Sequence, residues 1–312
     1  MKVTFFPFMP CCETGSSRVR AYWLSEHLVK QGIDAQAQYH GTYPPRNLEN
    51  VLDSDIIVFQ KNYSEPWIRL AEAAKEKGAK IVFDQVEKEE TTRMHSLTDV
   101  LTTDSTALAE WYSSLNPDIE TRVIEDCVAY LKTPLPPRQH TKTDGLKVAY
   151  FVSPSMIDNI IVCHEALQKL GKRRSYDLVV IAGRLDPWRL GKLKYEYWKW
   201  SYEGFTDLLL KCDLAILPQK WKWKGGNKMV QAVTHNLPTV SSDTPAYRST
   251  AEATGTEEYL CTKPDEWLAA LEAMFDPDVR NGFLSKTSSW IWENYGMDCI
   301  GQQWIKLFED LS

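Results

Sequence analysis

The chain has 312 residues, of which 43% are hydrophobic and 25% are charged, proportions that are ordinary for a soluble globular protein. Its formal net charge of −6 argues against binding to nucleic acid or an anionic membrane through the overall charge of the protein. A local basic patch remains possible. The seven cysteines form no CxxC pair and favour neither a zinc site nor a disulfide framework, so we expect a reduced, cytoplasmic protein.

The first half of the chain alternates strands with helices. Its apolar start lacks the basic region and cleavage site of a signal peptide, so we interpret it as a strand. The sequence contains no run of about 20 apolar residues, so we predict no transmembrane helix. Strands are predicted at 2–8, 33–39, 55–60, 80–84, 99–102 and 121–125, and helices at 18–31, 65–77 and 105–114. This alternation predicts a parallel sheet with helices on both faces.

A proline-rich, polar stretch at 132–145 is the predicted linker between two domains. The alternation then restarts, with strands at 146–152, 176–182, 213–217, 238–242 and 257–261, and helices at 155–171, 203–211, 228–235, 264–275, 276–295 and 297–311. We therefore predict an α/β protein with two Rossmann-like, doubly wound domains that face a cleft. The domains are 1–131 and 146–312, and the last helix is able to pack back on the first domain.

Loops at the carboxyl ends of the strands are where doubly wound sheets bind ligands. Three such loops are expected to line the cleft, at 9–18, 153–159 and 218–228. We also expect Asp84 to point into the cleft, because it ends a buried strand, although it could instead cap the segment that follows.

The stretch 224–248 predicts a loop, a helix, a turn and a buried strand. Gly225 and Gly226 allow a tight turn and a close approach to a ligand, and Asn227 is a suitable N-cap for a helix at 228–235. Free backbone N–H groups, the positive end of the helix dipole and the Lys228 ammonium group would together suit a phosphate or diphosphate. The alternative is ordinary helix capping with no ligand.

This combination of motifs resembles the GT-B glycosyltransferases, in particular the GT4-like group. In the first half the resemblance is carried by the Gly15–Arg18 loop and the helix RVRAYWLSEHLVKQG, and in the second half by CDLAILPQ and NKMVQAVTHNLPTVSS. It implies transfer of a sugar from a nucleoside-diphosphate sugar, such as a UDP-sugar, to an acceptor hydroxyl group. The first domain would bind the acceptor, and the second domain would bind the donor.

The resemblance also implies roles for individual residues. Lys228 would neutralise the diphosphate, and Gln231 could hydrogen-bond a ribose hydroxyl group. The other donor-binding candidates lie in loops that follow strands, and they are Gly15, Ser16, Ser153, Ser155, Arg184, Gly225, Gly226 and Asn227. For Ser153 and Ser155, the alternative is that both simply cap a helix.

The sequence departs from the family pattern at a pair of glutamates that lie eight residues apart. Those positions carry Trp223 and Gln231 in this chain, so no carboxylate is available there. The donor sugar therefore stays open. A catalytically inactive protein that binds nucleotide-sugars is an alternative function, and an epimerase of the same architecture is another.

The expected chemistry needs neither a metal nor a cofactor. The helix N-terminus and Lys228 could stabilise the leaving diphosphate, and retention is expected because that diphosphate could itself take the acceptor proton. An inverting reaction would need a base from the first domain, for which Asp84 is the candidate.

The acceptor-binding candidates of the first domain are Ser17, Arg18 and Lys61. Arg18 could instead be a helix-surface charge, and Lys61 could be simply solvated. His27 is expected to be a packing or surface residue, and His235 is expected near a helix C-terminus, where a cation is favourable.

Tryptophans and lysines alternate through 188–224. Such a segment suits stacking on sugar rings, stacking on nucleobases or a membrane interface, or it is an insertion whose aromatic rings pack on the domain. The acceptor is thus left open among a glycan, a lipid-linked compound, a small molecule and modified bases in DNA, the last being the substrate of some phage GT-B enzymes.

Overall fold

The computed structural model describes residues 1–11, 13–46, 49–90 and 92–312. Cys12, in the predicted 9–18 loop, lies outside the described residues, as do 47–48 and 91. The chain divides into two units. The first unit comprises Met1–Ala129, Trp223–Gly225 and Asn294–Ser312, and the second comprises Tyr130–Lys222 and Gly226–Glu293.

In the first unit, six strands of the described chain form one parallel sheet in the order β2-β1-β3-β4-β5-β6. The strands are β1 (Lys2–Phe6), β2 (Asp34–Ala37), β3 (Ile56–Gln60), β4 (Lys80–Asp84), β5 (Val100–Thr103) and β6 (Glu120–Val123). The helices are α1 (Gly15–Ser17), α2 (Trp23–Lys30), α3 (Glu49–Leu52), α4 (Glu65–Glu76), α5 (Arg93–Leu97), α6 (Thr106–Leu115) and α13 (Met297–Leu311), with a π-helical turn at Arg18–Tyr22. The predicted parallel sheet is confirmed.

The two faces of this sheet differ in polarity. On one face Phe6, Phe59 and Phe83 pack in an apolar cluster with Trp67 of α4, whose ring centroid lies 4.9 Å from that of Phe6. Because side chains alternate along a strand, the residues next to these phenylalanines point to the opposite face. Gln60 and Asp84, which follow Phe59 and Phe83, are polar and still buried, and so is Thr102, which follows Leu101 of the same cluster.

The last helix, α13, belongs to the first unit. Its Trp304 and Phe308 rings contact Phe5 of β1 at centroid distances of 6.3 and 6.1 Å. The Arg20 guanidinium also lies over the Trp304 ring, at 5.5 Å. The polar face of the sheet is therefore covered by aromatic rings as well as by polar groups.

In the second unit, six described strands form another parallel sheet, in the order β12-β11-β10-β7-β8-β9. The strands are β7 (Leu146–Phe151), β8 (Tyr176–Ala182), β9 (Glu196–Lys199), β10 (Leu214–Leu217), β11 (Thr239–Ser242) and β12 (Leu260–Cys261). The helices are α7 (His164–Leu170), α8 (Phe205–Leu210), α9 (Asn227–Thr234), α10 (Pro245–Thr254), α11 (Pro264–Ala273) and α12 (Pro277–Tyr295). Short 3₁₀ segments occur at Pro154–Val162, Pro187–Leu190 and Glu257–Tyr259.

Two elements of the second unit were not predicted from the sequence. Strand β9 is a short edge strand of partly exposed residues, so no apolar run marks it. Helix α10 does carry local signals, because Thr244 caps it, Pro245 opens it and Gly255 ends it at a φ of 62°. Helix α10 could therefore have been predicted from the sequence.

Helix α9 lies one residue earlier than predicted. Gly226 occupies the N-cap, so the prediction that Asn227 is the cap was wrong by one position. At the other end, Asn236 has a φ of 58°, the left-handed conformation that often follows a helix. The sequence predicts a helix at 155–171 with a break near its start, and the structure has 3₁₀ geometry over Pro154–Val162 before α7 begins.

None of the helices in the described part of the chain is long and apolar enough to cross a membrane.

Candidate functional site

The connectivity of the second sheet marks one position for ligand binding. Strand β7 lies between β10 and β8, so the loops that follow β7 and β10 lead in opposite directions across the sheet. Such a switch point leaves a crevice at the carboxyl ends of the two strands. The loop after β7 carries Ser153 and Ser155, and the loop after β10 leads to Gly226, Asn227 and Lys228.

The start of α9 fits an anion. Gly226 is buried, and as the N-cap residue it offers no side-chain acceptor to the first turn of the helix. Asn227 and Lys228 follow and are half-buried, and the Asn227 Oδ1 accepts a hydrogen bond from the Gln231 Nε2. A phosphate group placed here would meet backbone donors, the helix dipole and one ammonium group.

Both loop serines are exposed, and their Oγ atoms lie 3.3 Å apart. Ser153 precedes the 3₁₀ segment at Pro154–Val162 but makes no side-chain cap to it. The capping alternative is therefore not observed for Ser153, and its hydroxyl group faces solvent.

Arg184 lies farther along the same sheet edge, after β8. Its side chain is 77% exposed, and its Nη2 lies 3.7 Å from the Asp186 carboxylate. A long exposed side chain held by one loose ion pair can reorient toward a ligand at little cost. Its role as a phosphate ligand stays a prediction.

Gly225 belongs to the first unit, where it lies against Asp104. A Cβ atom at Gly225 would come within 2.6 Å of the Asp104 Oδ2 and 2.9 Å of the Asp104 carbonyl oxygen. Next to this contact, the Ser105 Oγ donates to the Trp223 carbonyl oxygen at 2.6 Å. The close approach expected at Gly225 is thus to a carboxyl group of the protein itself.

The start of the first helix is tied to the carboxyl end of β3. The Ser17 Oγ donates to the Gln60 Oε1 at 2.7 Å, and the Gln60 Nε2 donates to the Ser16 carbonyl oxygen at 3.2 Å. Gly15 begins this helix, and Thr14 caps it through the Ser17 N–H group. The loop is therefore held by internal hydrogen bonds.

Arg18 is fully buried, which overturns its alternative interpretation as a helix-surface charge. Its Nη1 donates to the Cys11 carbonyl oxygen at 3.3 Å, and its guanidinium lies 5.9 Å from the centroid of the Trp23 ring. Its role in acceptor binding stays a prediction.

Lys61 follows β3 with a φ of 54°, which is uncommon for a residue other than glycine. Its Nζ lies 3.5 Å from a Glu87 carboxylate oxygen, and the Nζ of Lys224 lies at the same distance from that oxygen. Burial tends to raise the pKa of Glu87, but the two lysines hold it below its ordinary value. Lys61 is thus part of an ion-pair cluster, and the alternative that it is simply solvated is not observed.

Asp84 ends β4 as predicted, but its carboxylate is completely enclosed. The Arg20 Nε donates to both oxygens at 3.0 Å, and the Arg20 Nη2 donates to Oδ1 at 2.7 Å. Gln60 and Thr102 add further donors at 3.1 and 2.8 Å. These contacts favour a structural ion pair between Asp84 and Arg20. The expected role of Asp84, as the base that deprotonates the acceptor hydroxyl group, would need a free carboxylate oxygen.

Asp104, directly after β5, is a candidate that the sequence analysis missed. It is only 8% exposed, and its Oδ1 has no hydrogen-bond partner among the described residues. Burial, together with the neighbouring carboxylates, raises its pKa to about 8. Asp104 ends a strand just as Asp84 does, so the rule that selected Asp84 could have selected it too.

His235 corrects the expectation of a cation near a helix end. Burial lowers its pKa to about 4, so the ring is neutral at physiological pH. The His235 Nδ1–H donates to the Gln231 carbonyl oxygen at 2.6 Å, and its Nε2 accepts from the Thr206 hydroxyl group at 3.1 Å.

His27 is buried, as expected of a packing residue, and a Cβ at Gly301 would lie 2.5 Å from its ring.

The segment 188–224 does not form one aromatic surface. Trp188 is 77% exposed and Trp221 is 46% exposed. The Trp198 ring instead has the Lys147 ammonium group 5.4 Å from its centroid, and Trp223 packs against the apolar cluster of the first unit. Packing therefore explains part of the segment, and Trp188 and Trp221 face solvent.

Two Asp-x-Asp triplets, a pattern that can hold a divalent ion, occur at 53–55 and 276–278. In the first, Asp53 pairs with the Lys2 Nζ at 3.2 Å, and Asp55 lies 3.8 Å from the amino group of Met1. That position is at the amino ends of β1 and β3, opposite the carboxyl edge of the sheet. Within the described ranges, no cluster of three or more His, Cys, Asp or Glu side chains is arranged to hold a metal ion.

Comparisons with known proteins identify the fold. No protein-family model and no curated protein sequence matches the chain. Among solved structures, Anabaena Alr3699/HepE in complex with UDP-glucose superimposes with a TM-score of 0.73 at 13% identity, covering 99% of this chain and 100% of that one. A glycosyltransferase from Rickettsia africae ESF-5 gives a TM-score of 0.71 at 11% identity, covering 99% and 98%.

A protein described as a UDP-N-acetylglucosamine 2-epimerase from Listeria monocytogenes also matches, with a TM-score of 0.57 at 12% identity over 98% of this chain and 95% of that one. Different reactions therefore occur on this fold. The two parallel sheets, each surrounded by helices, confirm the predicted Rossmann-like domains. The chain has the fold of the GT-B glycosyltransferases.

Proposed function

We propose that this protein is a glycosyltransferase of the GT4-like group that takes a sugar from a UDP-sugar and transfers it to an acceptor hydroxyl group. The observation that carries the proposal is the start of α9, where a glycine N-cap and Lys228 follow the switch-point strand β10. The UDP-glucose bound by the similarly folded HepE supports a UDP-sugar as donor.

The diphosphate is the part of the donor that this site suits best. Negative charge builds up on the leaving diphosphate in the transition state, where the α9 dipole and the Lys228 ammonium group would stabilise it. Ser153 and Ser155 follow the adjacent strand β7 and would donate to phosphate oxygens. Gln231 lies one turn into α9 and would hydrogen-bond a ribose hydroxyl group.

The proposed reaction is metal-independent and retains the anomeric configuration. The helix N-terminus and Lys228 would supply the positive charge that a metal ion supplies elsewhere. The leaving diphosphate would take the acceptor proton, so that no protein base is required. We further propose a cytoplasmic location, a reducing compartment in which the cysteines would stay as thiols.

Nucleotide binding tests the proposal directly. Thermal shift and calorimetry would be measured with UDP, GDP, ADP and dTDP, and with their glucose conjugates. We expect UDP and UDP-glucose to raise Tm, since a ligand stabilises the state that binds it. Lys228→Ala should weaken UDP binding about tenfold or more by removing a charge-assisted contact. Lys172→Ala, which removes an exposed lysine from the same unit, should leave Kd unchanged.

Turnover separates the proposal from its alternatives. Release of UDP from UDP-glucose with formation of a glucoside would support transfer. Binding of UDP-glucose without any turnover would favour an inactive nucleotide-sugar-binding protein, the function suggested by Trp223 and Gln231 at the two glutamate positions. Conversion of UDP-N-acetylglucosamine to its 2-epimer would contradict transfer and favour the epimerase. Binding of none of these nucleotides would overturn the donor assignment.

A further inference from the structure

Asp104 combines burial with an unused hydrogen-bonding atom. The residue follows β5 at the carboxyl edge of the first sheet, the edge at which doubly wound domains bind ligands. Its Oδ1 is buried and has no partner among the described residues. Leaving a buried polar atom without a partner costs free energy, so such an atom points to a ligand or water that completes its hydrogen bonding.

The surroundings of Asp104 disfavour a charged carboxylate. The charged groups that face it are Arg20, Asp84, Asp126 and Lys224. Arg20 already pairs with Asp84 and Asp126, so two of these neighbours are carboxylates that repel a third negative charge.

Lys224, the remaining cation, already contacts other groups. Its Nζ lies 3.5 Å from Glu87 and 4.5 Å from the centroid of the Trp223 ring. A buried carboxyl group without a cation of its own is more stable in its protonated form. The raised pKa of about 8 agrees with this geometry.

We propose that Asp104 is an acceptor-binding residue, whose protonated carboxyl group exchanges hydrogen bonds with a hydroxyl group of an uncharged sugar or polyol. A carboxyl group has one donor and one acceptor, which match the acceptor and donor of a hydroxyl group. An anionic acceptor would meet the surrounding carboxylates and is disfavoured. This inference rests on the proposed transfer reaction and adds the chemical class of its acceptor.

A hydrogen-bonding role of Asp104 differs from the role of a general base in its response to substitution. A base must be ionised before it can take a proton, and Asn cannot replace it. A neutral hydrogen-bonding residue can be replaced by Asn, whose amide supplies N–H donors and a carbonyl acceptor, but not by Ala. The two substitutions therefore distinguish the two roles.

The experiment measures UDP release from UDP-glucose with methyl glycosides of glucose, galactose and mannose, and with glycerol, as acceptors. We expect Asp104→Ala to raise the acceptor KM about tenfold while the Kd for UDP-glucose stays within about threefold of wild type. Asp104→Asn should keep the wild-type acceptor KM at pH 7. Asp118→Asn, an exposed aspartate of the same unit, serves as the matched control.

The pH profile provides an independent test. In the wild type, the acceptor KM should rise as the pH increases through about 8, because ionisation removes the carboxyl donor. In Asp104→Asn this rise should disappear. If Asp104→Asn loses turnover as completely as Asp104→Ala while still binding UDP-glucose, Asp104 is a base and the inference is wrong. An Asp104→Ala variant with wild-type KM would also overturn it.

A measurement without turnover separates this inference from the proposed function. The ¹³C resonance of the Asp104 carboxyl group, assigned by its loss in Asp104→Asn, should titrate near pH 8. Titration below pH 6 would contradict a protonated carboxyl group, whether or not the protein is a transferase. A wild type that binds no nucleotide would instead overturn the transferase, and with it the acceptor role.

Discussion

Asp84 and Asp104 lie at the carboxyl ends of two neighbouring strands of one sheet, and both are buried, yet their environments are opposite. Asp84 accepts hydrogen bonds from Arg20, Gln60 and Thr102. Asp104 keeps an oxygen without a described partner. A buried carboxylate with several donors is a structural element, whereas a buried carboxyl oxygen without a partner has an unsatisfied hydrogen-bonding capacity. The difference teaches that position at a strand end does not by itself identify a reactive group.

Asp84→Asn should have the largest effect on stability. The substitution leaves the buried Arg20 guanidinium with Asp126 alone and removes a partner from a desolvated ion pair. We expect the free energy of unfolding to fall by about 3 kcal/mol, measured by urea denaturation. Asp104→Asn removes no ion pair and should cost far less at pH 7. Equal losses for the two variants would contradict the comparison.

Gly225→Ala should have an intermediate effect. The new Cβ would lie 2.6 Å from the Asp104 Oδ2 and 2.9 Å from its carbonyl oxygen, so the 223–225 segment or Asp104 must move. We expect a loss of about 1–3 kcal/mol in the free energy of unfolding. Gly282→Ala, inside α12 with no atom within 4 Å of the new Cβ, is the control and should stabilise slightly. A neutral Gly225→Ala would show that Asp104 is not tightly contacted.

His235→Gln should have the smallest effect on stability at neutral pH, and its effect should appear only in acid. The folded-state pKa of His235, about 4, lies below the ordinary value of 6.5, so the unfolded chain binds its proton first. His235 therefore supports stability fully above pH 6.5 and loses that support as the pH falls toward 4, by at most about 1.4 kcal/mol per pH unit.

The measurement is Tm between pH 4 and 8 for the wild type and His235→Gln. The acid decline should be shallower in the variant. A His235 ring that titrates near pH 6.5 by NMR would contradict the buried, neutral ring. It would also show that burial alone does not set the charge state of groups in this fold.

The sequence predicted the elements whose signals are local. Strands β4 and β8 and helix α13 lie at their predicted bounds, because apolar runs and helical periodicity mark them. The edge strand β9 was not predicted, since three of its four residues are exposed and two of them, Glu196 and Lys199, are charged. Local pattern thus predicted most of the strands and helices but missed this one edge strand.

The candidate site was less predictable, because its chemistry depends on partners far apart in the chain. The sequence predicts that Asp84 is available as a base, but in the structure Arg20, which lies 64 residues earlier, donates hydrogen bonds to its carboxylate. Gly225 is predicted from the sequence to face a ligand, and its neighbour in the structure is Asp104. Such pairings are decided by tertiary packing, which neither spacing nor residue type specifies.

Hydrogen–deuterium exchange with and without UDP-glucose tests the central claim most directly, since it locates the ligand on the chain. The account predicts slower exchange in peptides that cover 152–157 and 219–231, the loops after β7 and β10, and loss of this protection in Lys228→Ala. Protection confined to other loops, or protection that Lys228→Ala retains in full, would contradict the placement of the donor at the start of α9.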